Sequence, residues 1–151
     1  MADAPSRILV PTDYSDCSRR AFEAALVVAA RFGASVDLLN VWRAPHDLPA
    51  SMKVVGADGR SLLLSDLLEQ QAQTEMAEFV RATGPETSVS VRRRFESGEP
   101  ARVIVDTATE GYSMIVIGTH GRTGFQRFLM GSVAERVVRL AACPVLTVRG
   151  P

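Results

Sequence analysis

Short apolar runs of strand length alternate with segments of helical period along almost the whole chain, and this alternation constrains the fold most. The helical segments carry apolar residues at three- and four-residue spacing, the pattern of one buried helix face. Strands are predicted at 8–10, 35–42, 88–95, 112–117 and 144–149, and helices at 15–33, 62–83, from 98 onwards, and 132–141. The alternation predicts an α/β fold: an open, doubly wound, Rossmann-like parallel sheet of five strands with helices on both faces.

The individual segments differ in character. Residues 114–117 are all apolar, which is typical of a strand at the buried centre of a parallel sheet. The strand at 88–95 holds three consecutive arginines, 92–94, which favours an edge position. These arginines are either a solvated strand end or a contact for an anionic partner. Residues 43–59 contain two prolines and two glycines without a period, so we expect a long loop there.

Composition limits the classes of function. The 151 residues predict one domain, 1–151, and 17 basic residues balance 17 acidic ones, so nucleic-acid binding is not expected. Two cysteines, Cys17 and Cys143, do not make a disulfide framework and favour a reducing compartment. The sequence has no recognisable secretory signal and no apolar run of about 18 residues. We therefore expect a soluble cytoplasmic protein without a membrane segment.

The chemistry is expected where parallel strands end, because ligands of open α/β sheets bind beyond the carboxyl ends of the strands. Pro11, Thr12 and Asp13 follow the first strand, and a glycine-rich stretch that begins at Gly118 follows the fourth. Glycines permit positive φ and close backbone approach, so that amide groups can face an anion. The stretch ends at Gly131-Ser132, at the start of the last helix, where free N–H groups and the helix dipole favour phosphate.

Alternative interpretations remain open at this point. The glycines could only shape a surface turn, Ser132 could only cap its helix, and Asp13 could cap the turn that follows it. The two best-known phosphate loops are absent. Lys53 is the only lysine in the chain, which excludes a P-loop, and no Gly-x-Gly-x-x-Gly follows the first strand. Arg122 adds positive charge to the stretch, and His120 could bind a phosphate or simply be solvated.

The spacing Gly118-x2-Gly121-x9-Gly131-Ser132 resembles the signature of ATP-binding universal stress proteins. The resemblance extends to the opening segment 8–13, to the strand at 38–41 and to the closing segment 143–148. It implies a strand order of 3-2-1-4-5 and dimerisation through the last strand, residues 145–148. One departure from the family is Asn40, where a histidine is frequent.

The resemblance also implies roles for single residues. Pro11, Thr12 and Val41 would hold the adenine, Asp13 would face the ribose or a metal, and Ile117 would lie beneath the nucleotide. The phosphates would contact Gly118, Gly121, Gly131, Ser132 and Val133. We expect replacement of Gly118 or Gly131 by valine to abolish ATP binding while the fold persists.

The resulting hypothesis is a nucleotide-dependent stress or signalling module that binds ATP. Any Mg²⁺ would be held by the phosphates rather than by a protein cage. The bound state would be read by a second copy of the chain or by an unknown protein partner. One alternative is a slow ATPase or phosphotransferase that uses Asp13, His120 and Arg122. Another is an interaction protein that binds no nucleotide.

Overall fold

The computed structural model describes residues 5–43, 48–49, 51–84, 88–121 and 130–150. Its strands are β1 (Arg7–Thr12), β2 (Ser35–Trp42), β3 (Lys53–Val55), β4 (Ser61–Leu63), β5 (Val91–Ser97), β6 (Met114–Gly118) and β7 (Val145–Val148). Its helices are α1 (Asp16–Phe32), α2 (Leu64–Thr83), α3 (Pro100–Ala108) and α4 (Ser132–Leu140). Within these ranges, no helix is both long and apolar enough to cross a membrane.

Five of the strands form one sheet in the order β5-β2-β1-β6-β7, and every neighbouring pair is parallel. Numbered within this sheet alone, the order is 3-2-1-4-5. This confirms the predicted fold class and the order implied by the family resemblance. β5 lies at one edge, as its arginines predict, and β7 lies at the other.

The core consists of two layers because alternate side chains of each buried strand point to opposite faces of the sheet. Ile8 and Val10 of β1 belong to one cluster, which α1 and α2 cover. Leu9 lies between them in sequence and belongs to the other cluster, which α3 and α4 cover. Helices therefore lie on both faces, and the carboxyl edge of the sheet is left between them.

The first helix begins and ends at the residues that its capping signals predict. The Ser15 side chain accepts a hydrogen bond from the N–H of Ser18, and Gly33 ends the helix in the left-handed conformation with a φ of 69°. The tight start of α1 follows directly from β1 through Tyr14, which has a φ of 65°. This left-handed turn brings the helix N-terminus close to the end of β1.

The predicted loop at 43–59 is only partly correct. β3 lies within it and pairs antiparallel with β4, with Val54 opposite Leu62. The turn is closed by the N–H of Gly56, which donates to the carbonyl of Arg60 at 2.8 Å. Two three-residue strands are too short to show a period in sequence, and their pairing is visible only in three dimensions. Because β4 occupies Ser61–Leu63, α2 begins at Leu64 and not at residue 62 as predicted.

The arginines of β5 are not simply a solvated strand end. Arg92 and Arg7 donate to the buried carboxylate of Asp37 at 2.5 and 3.1 Å, and the Tyr112 hydroxyl donates to the same oxygen. Burial raises the pKa of Asp37, but these hydrogen bonds outweigh it and hold the pKa below its ordinary value. Arg94 donates to Glu110 at 2.6 Å. Arg7, Arg92 and Arg94 thus form ion pairs with acidic residues at the amino end of the sheet.

Candidate functional site

A cavity of about 320 Å³ opens at the carboxyl ends of β1, β2 and β6, where the strand order reverses around β1. Eleven of the twelve residues predicted from the sequence line it: Pro11, Thr12, Asp13, Val41, Ile117, Gly118, His120, Gly121, Gly131, Ser132 and Val133. The twelfth, Arg122, lies outside the described residues. The structure thus brings the predicted residues together, and their role toward a ligand stays a prediction.

Six further residues line the cavity and were not predicted: Ser18, Leu39, Pro100, Ile104, Thr119 and Ala134. Leu39 could have been found, because it lies two residues before Val41 and so faces the same side of the sheet. Pro100 and Ile104 are one turn apart at the start of α3, which follows the carboxyl end of β5. Together these residues make one part of the wall apolar.

The opposite part of the wall is the start of α4. Its N-cap is Gly131, which has no side chain to accept from the first-turn amides. By contrast, α1 is capped by the Ser15 side chain and α3 by the carboxylate of Glu99. The first N–H groups of a helix have no acceptor within the helix. The first residues of α4, Ser132, Val133 and Ala134, therefore line the cavity, and no side chain among the described residues caps their amides.

Gly131 itself closes the glycine-rich stretch. Its N–H donates to the carbonyl of Thr119 at 2.5 Å, so this amide is already used within the chain. The N–H of Thr119 in turn donates to Val148 of β7 at 2.8 Å. These two bonds fix the ends of the stretch to the sheet and place the start of α4 over the cavity.

The three motif glycines are required for close approach and not for positive φ. None has a positive φ; the described glycines that do are Gly33, Gly59, Gly84, Gly98 and Gly111. A Cβ on Gly118 would lie 2.9 Å from the carbonyl carbon and the Sγ atom of Cys17, and one on Gly131 would lie 3.1 Å from the carbonyl oxygen of Thr119. A Cβ on Gly121 would lie 2.6 Å from Oδ2 of Asp13.

The tight contact at Gly118 changes one expectation. Cys17 lies in the first turn of α1 and is buried. A valine at 118 would push against the backbone of that turn, where no flexible side chain can yield. We therefore expect Gly118→Val to displace the first turn of α1 and to destabilise the fold; that the fold persists stays a prediction.

Asp13 caps the turn after β1. Its Oδ1 accepts from the N–H of Ser15 at 3.1 Å and from the Ser15 hydroxyl at 2.5 Å. This is the capping interpretation of the residue. The carboxylate also lines the cavity, with Oδ2 toward Gly121. The hydrogen bonds to Oδ1 hold the carboxylate in place, and Oδ2 lies beside the glycine-rich stretch.

A small polar network fixes the end of β1. The hydroxyls of Thr12 and Ser18 lie 3.0 Å apart, and the side-chain amide of Asn40 donates to the Thr12 carbonyl at 3.0 Å. Asn40 is buried, so the residue that departs from the family pattern ties β2 to the end of β1. His120 Nδ1 lies 3.0 Å from the Thr119 hydroxyl. Among the described residues, no cluster of three or more His, Cys, Asp or Glu could hold a metal ion.

Comparisons with known proteins agree with this architecture. The sequence profile of the Universal stress protein family matches residues 5–149. A universal stress protein of Methanocaldococcus jannaschii is 38% identical over 147 residues, which cover 96% of this chain and 82% of that protein. The structure of universal stress protein UspA from Lactobacillus plantarum has a TM-score of 0.76 at 28% identity and covers 95% of this chain and 97% of its own.

A further solved structure is a universal stress protein in complex with cAMP. It has a TM-score of 0.66 at 25% identity, and the match covers 98% of this chain and 99% of that chain. The similarities therefore extend over all the strands that carry the cavity.

Proposed function

The chain belongs to the universal stress protein family, and from that premise we propose that it binds ATP and acts as a nucleotide-dependent stress or signalling module. The observation that carries the proposal is the cavity at the carboxyl edge of the sheet. Its wall is apolar on one side and is formed by a helix N-terminus without a side-chain cap on the other. A nucleotide has the same division into a flat, weakly polar base and an anionic phosphate chain.

The ligand would lie across the cavity in one direction. Its base would pack against Val41 and Ile117, and its ribose would lie near Asp13. The phosphates would accept hydrogen bonds from Ser132 and from the first-turn amides of α4, where the helix dipole favours negative charge by about 0.3–1 kcal/mol or more. Mg²⁺, where present, would bind the phosphates and keep most of its water ligands.

A relative of similar fold supports the choice of an adenine nucleotide, since its structure contains cAMP. A cyclic monophosphate and ATP share the base and the ribose and differ in the phosphates. The start of α4 is the part of the cavity that would distinguish them. For this chain the glycine-rich motif favours the polyphosphate.

A second copy of the chain would read the bound state. β7 is an edge strand, and Leu146 on it is 39% exposed, as is typical of a strand that pairs with another chain. The N–H of Thr119, which lines the cavity, donates to Val148 of the same strand. In a homodimer through Val145–Val148, the interface strand would thus be hydrogen-bonded to Thr119, a residue of the cavity wall. A further protein partner could read the same edge.

The first test is to identify the nucleotide that the purified protein carries, by mass spectrometry, and to titrate ATP, ADP and AMP by calorimetry. Ser132→Asp should then reduce ATP affinity at least about tenfold, because a carboxylate at the start of α4 repels phosphate. The matched control is Ser65→Asp, which makes the same change in the first turn of α2, away from the cavity. A wild-type protein that neither carries nor binds any of the three nucleotides would overturn the proposal.

A further inference from the structure

We infer that Glu99 is a positioning residue for the base-binding end of the cavity, acting through Arg43 and Arg136; the inference rests on the proposed function. Glu99 follows β5 and is the N-cap of α3. It does not line the cavity, but Pro100 beside it does. Three elements that are distant in sequence meet at its carboxylate.

The contacts at Glu99 use both carboxylate oxygens. Oε1 accepts from Arg43 at 3.3 Å and from Arg136 at 3.0 Å, and Oε2 accepts from the N–H of Arg102 at 2.9 Å. Burial raises the pKa of Glu99, but the backbone hydrogen bonds and the two arginines outweigh it and hold the pKa below its ordinary value. The carboxylate is thus ionised at neutral pH and fixed by the helix that it caps.

Each arginine of this cluster is close in sequence to a residue that lines the cavity. Arg43 lies two residues after Val41 and follows directly on Trp42, the last residue of β2. Arg136 lies three residues after Val133, on the same face of α4. The ion cluster therefore connects β2 and the start of α3, at the base-binding end, to α4, whose first turn forms the phosphate end.

A second set of bonds reinforces the corner between β5 and α3. The N–H of Gly98 donates to the Trp42 carbonyl at 3.1 Å, and Arg43 Nε donates to the Gly98 carbonyl at 3.4 Å. Gly98 has a φ of 139°, which side-chain-bearing residues rarely adopt. The end of β2 is thus bound to the corner in two directions, and Glu99 extends the connection to α4.

The cluster is better suited to positioning than to stability. Arg43 and Arg136 are each close to half exposed, and exposed ion pairs contribute little to the free energy of unfolding. Their geometric effect is larger, because one carboxylate oxygen sets the separation of two guanidinium groups on different elements. We therefore expect loss of Glu99 to widen the base-binding end, whereas the bond from Gly131 to Thr119 keeps the first turn of α4, the phosphate end, in place.

The test compares two probes, adenosine and inorganic triphosphate, which represent the two ends of ATP. Glu99→Gln should weaken adenosine and ATP binding by about five- to tenfold, which corresponds to the net contribution of one ordinary hydrogen bond. It should leave triphosphate binding unchanged. Glu99→Asp keeps the charge and a good N-cap but is one methylene shorter. It should retain the melting temperature and still weaken adenosine.

The matched control is Glu110→Gln, which removes another glutamate–arginine pair, at the opposite end of the sheet. It should change neither probe. The inference is overturned if the wild type binds ATP and both Glu99 variants bind adenosine as tightly as Glu110→Gln, or if they weaken triphosphate by the same factor as adenosine. A wild type that binds no probe would overturn the proposed function and this inference together.

Discussion

Replacing Gly118 by alanine tests whether the motif glycines serve packing or the ligand directly. The added Cβ would lie 2.9 Å from both the carbonyl carbon and the Sγ atom of Cys17, and 3.0 Å from its carbonyl oxygen. Two of these three atoms are backbone atoms of the first turn of α1, so relief requires that turn to move. The next residue, Ser18, lines the cavity and lies 3.0 Å from the Thr12 hydroxyl. A shift of α1 would therefore reach the ligand-binding wall.

The magnitude follows from overpacking. An extra methyl in a close-packed site costs about 1–3 kcal/mol. For a domain of this size, about 1 kcal/mol lowers the melting temperature by roughly 2–4 °C. We thus expect Gly118→Ala to melt about 2–12 °C lower than the wild type by circular dichroism. Calorimetry should show ATP binding weakened several-fold.

Gly33→Ala is the matched control. Gly33 has a φ of 69°, and a Cβ added there would meet no atom within 4 Å, so the cost of alanine is conformational and not steric. A left-handed alanine costs about 1–2 kcal/mol, which gives a similar loss of melting temperature. Gly33 lies at the C-terminal end of α1 and does not line the cavity, so ATP affinity should not change. A Gly118→Ala protein that melts like the wild type but fails to bind ATP would refute the packing argument.

Two further predictions concern other parts of the molecule. Asp37→Asn should lower the free energy of unfolding by about 1–3 kcal/mol at neutral pH, because two arginines lose a charged acceptor. The pKa of Asp37 in the folded state lies below its ordinary value of 3.8, so the stabilisation is present above that pH and is lost as the pH falls through the folded-state pKa. In urea titrations at acid pH, the wild type and Asp37→Asn should therefore become equally stable. A difference that stays constant with pH would contradict the assignment. Leu146→Asp should convert the proposed dimer to a monomer in sedimentation experiments. Val27→Asp changes a residue on α1 that is 65% exposed and should leave the dimer intact. Equal effects of the two changes would argue against the β7 interface.

The fold could be predicted because its signals are local. The strand at 114–117 is apolar throughout, and the first helix shows its face, its N-cap and its C-cap within a single short segment. Alternation of such segments leaves few topologies. The site followed from the same logic, because residues such as Thr12 and Gly118 stand at the ends of buried strands.

The features that were missed depend on contacts between distant parts of the chain. Asp37 and Arg92 are 55 residues apart and meet only because β2 and β5 are neighbours in register. Glu99 has a local role as a helix cap, but its arginine partners come from the end of β2 and from α4. A charge in a sequence shows its type but not its partner, so the two ion clusters became visible only with the sheet order.

The two ends of the sheet explain why a chain of zero net charge can be expected to bind an anion. At the amino end, Arg7, Arg92 and Arg94 are paired with Asp37, Glu96 and Glu110, so three positive charges are balanced by three negative ones within the chain. Among the described residues, every buried side-chain nitrogen or oxygen has a hydrogen-bond partner. Donors for a ligand then come from exposed groups, and the start of α4 supplies main-chain N–H groups and the exposed hydroxyl of Ser132. This is why introduction of a negative charge, as in Ser132→Asp, should affect binding more than removal of any single hydroxyl.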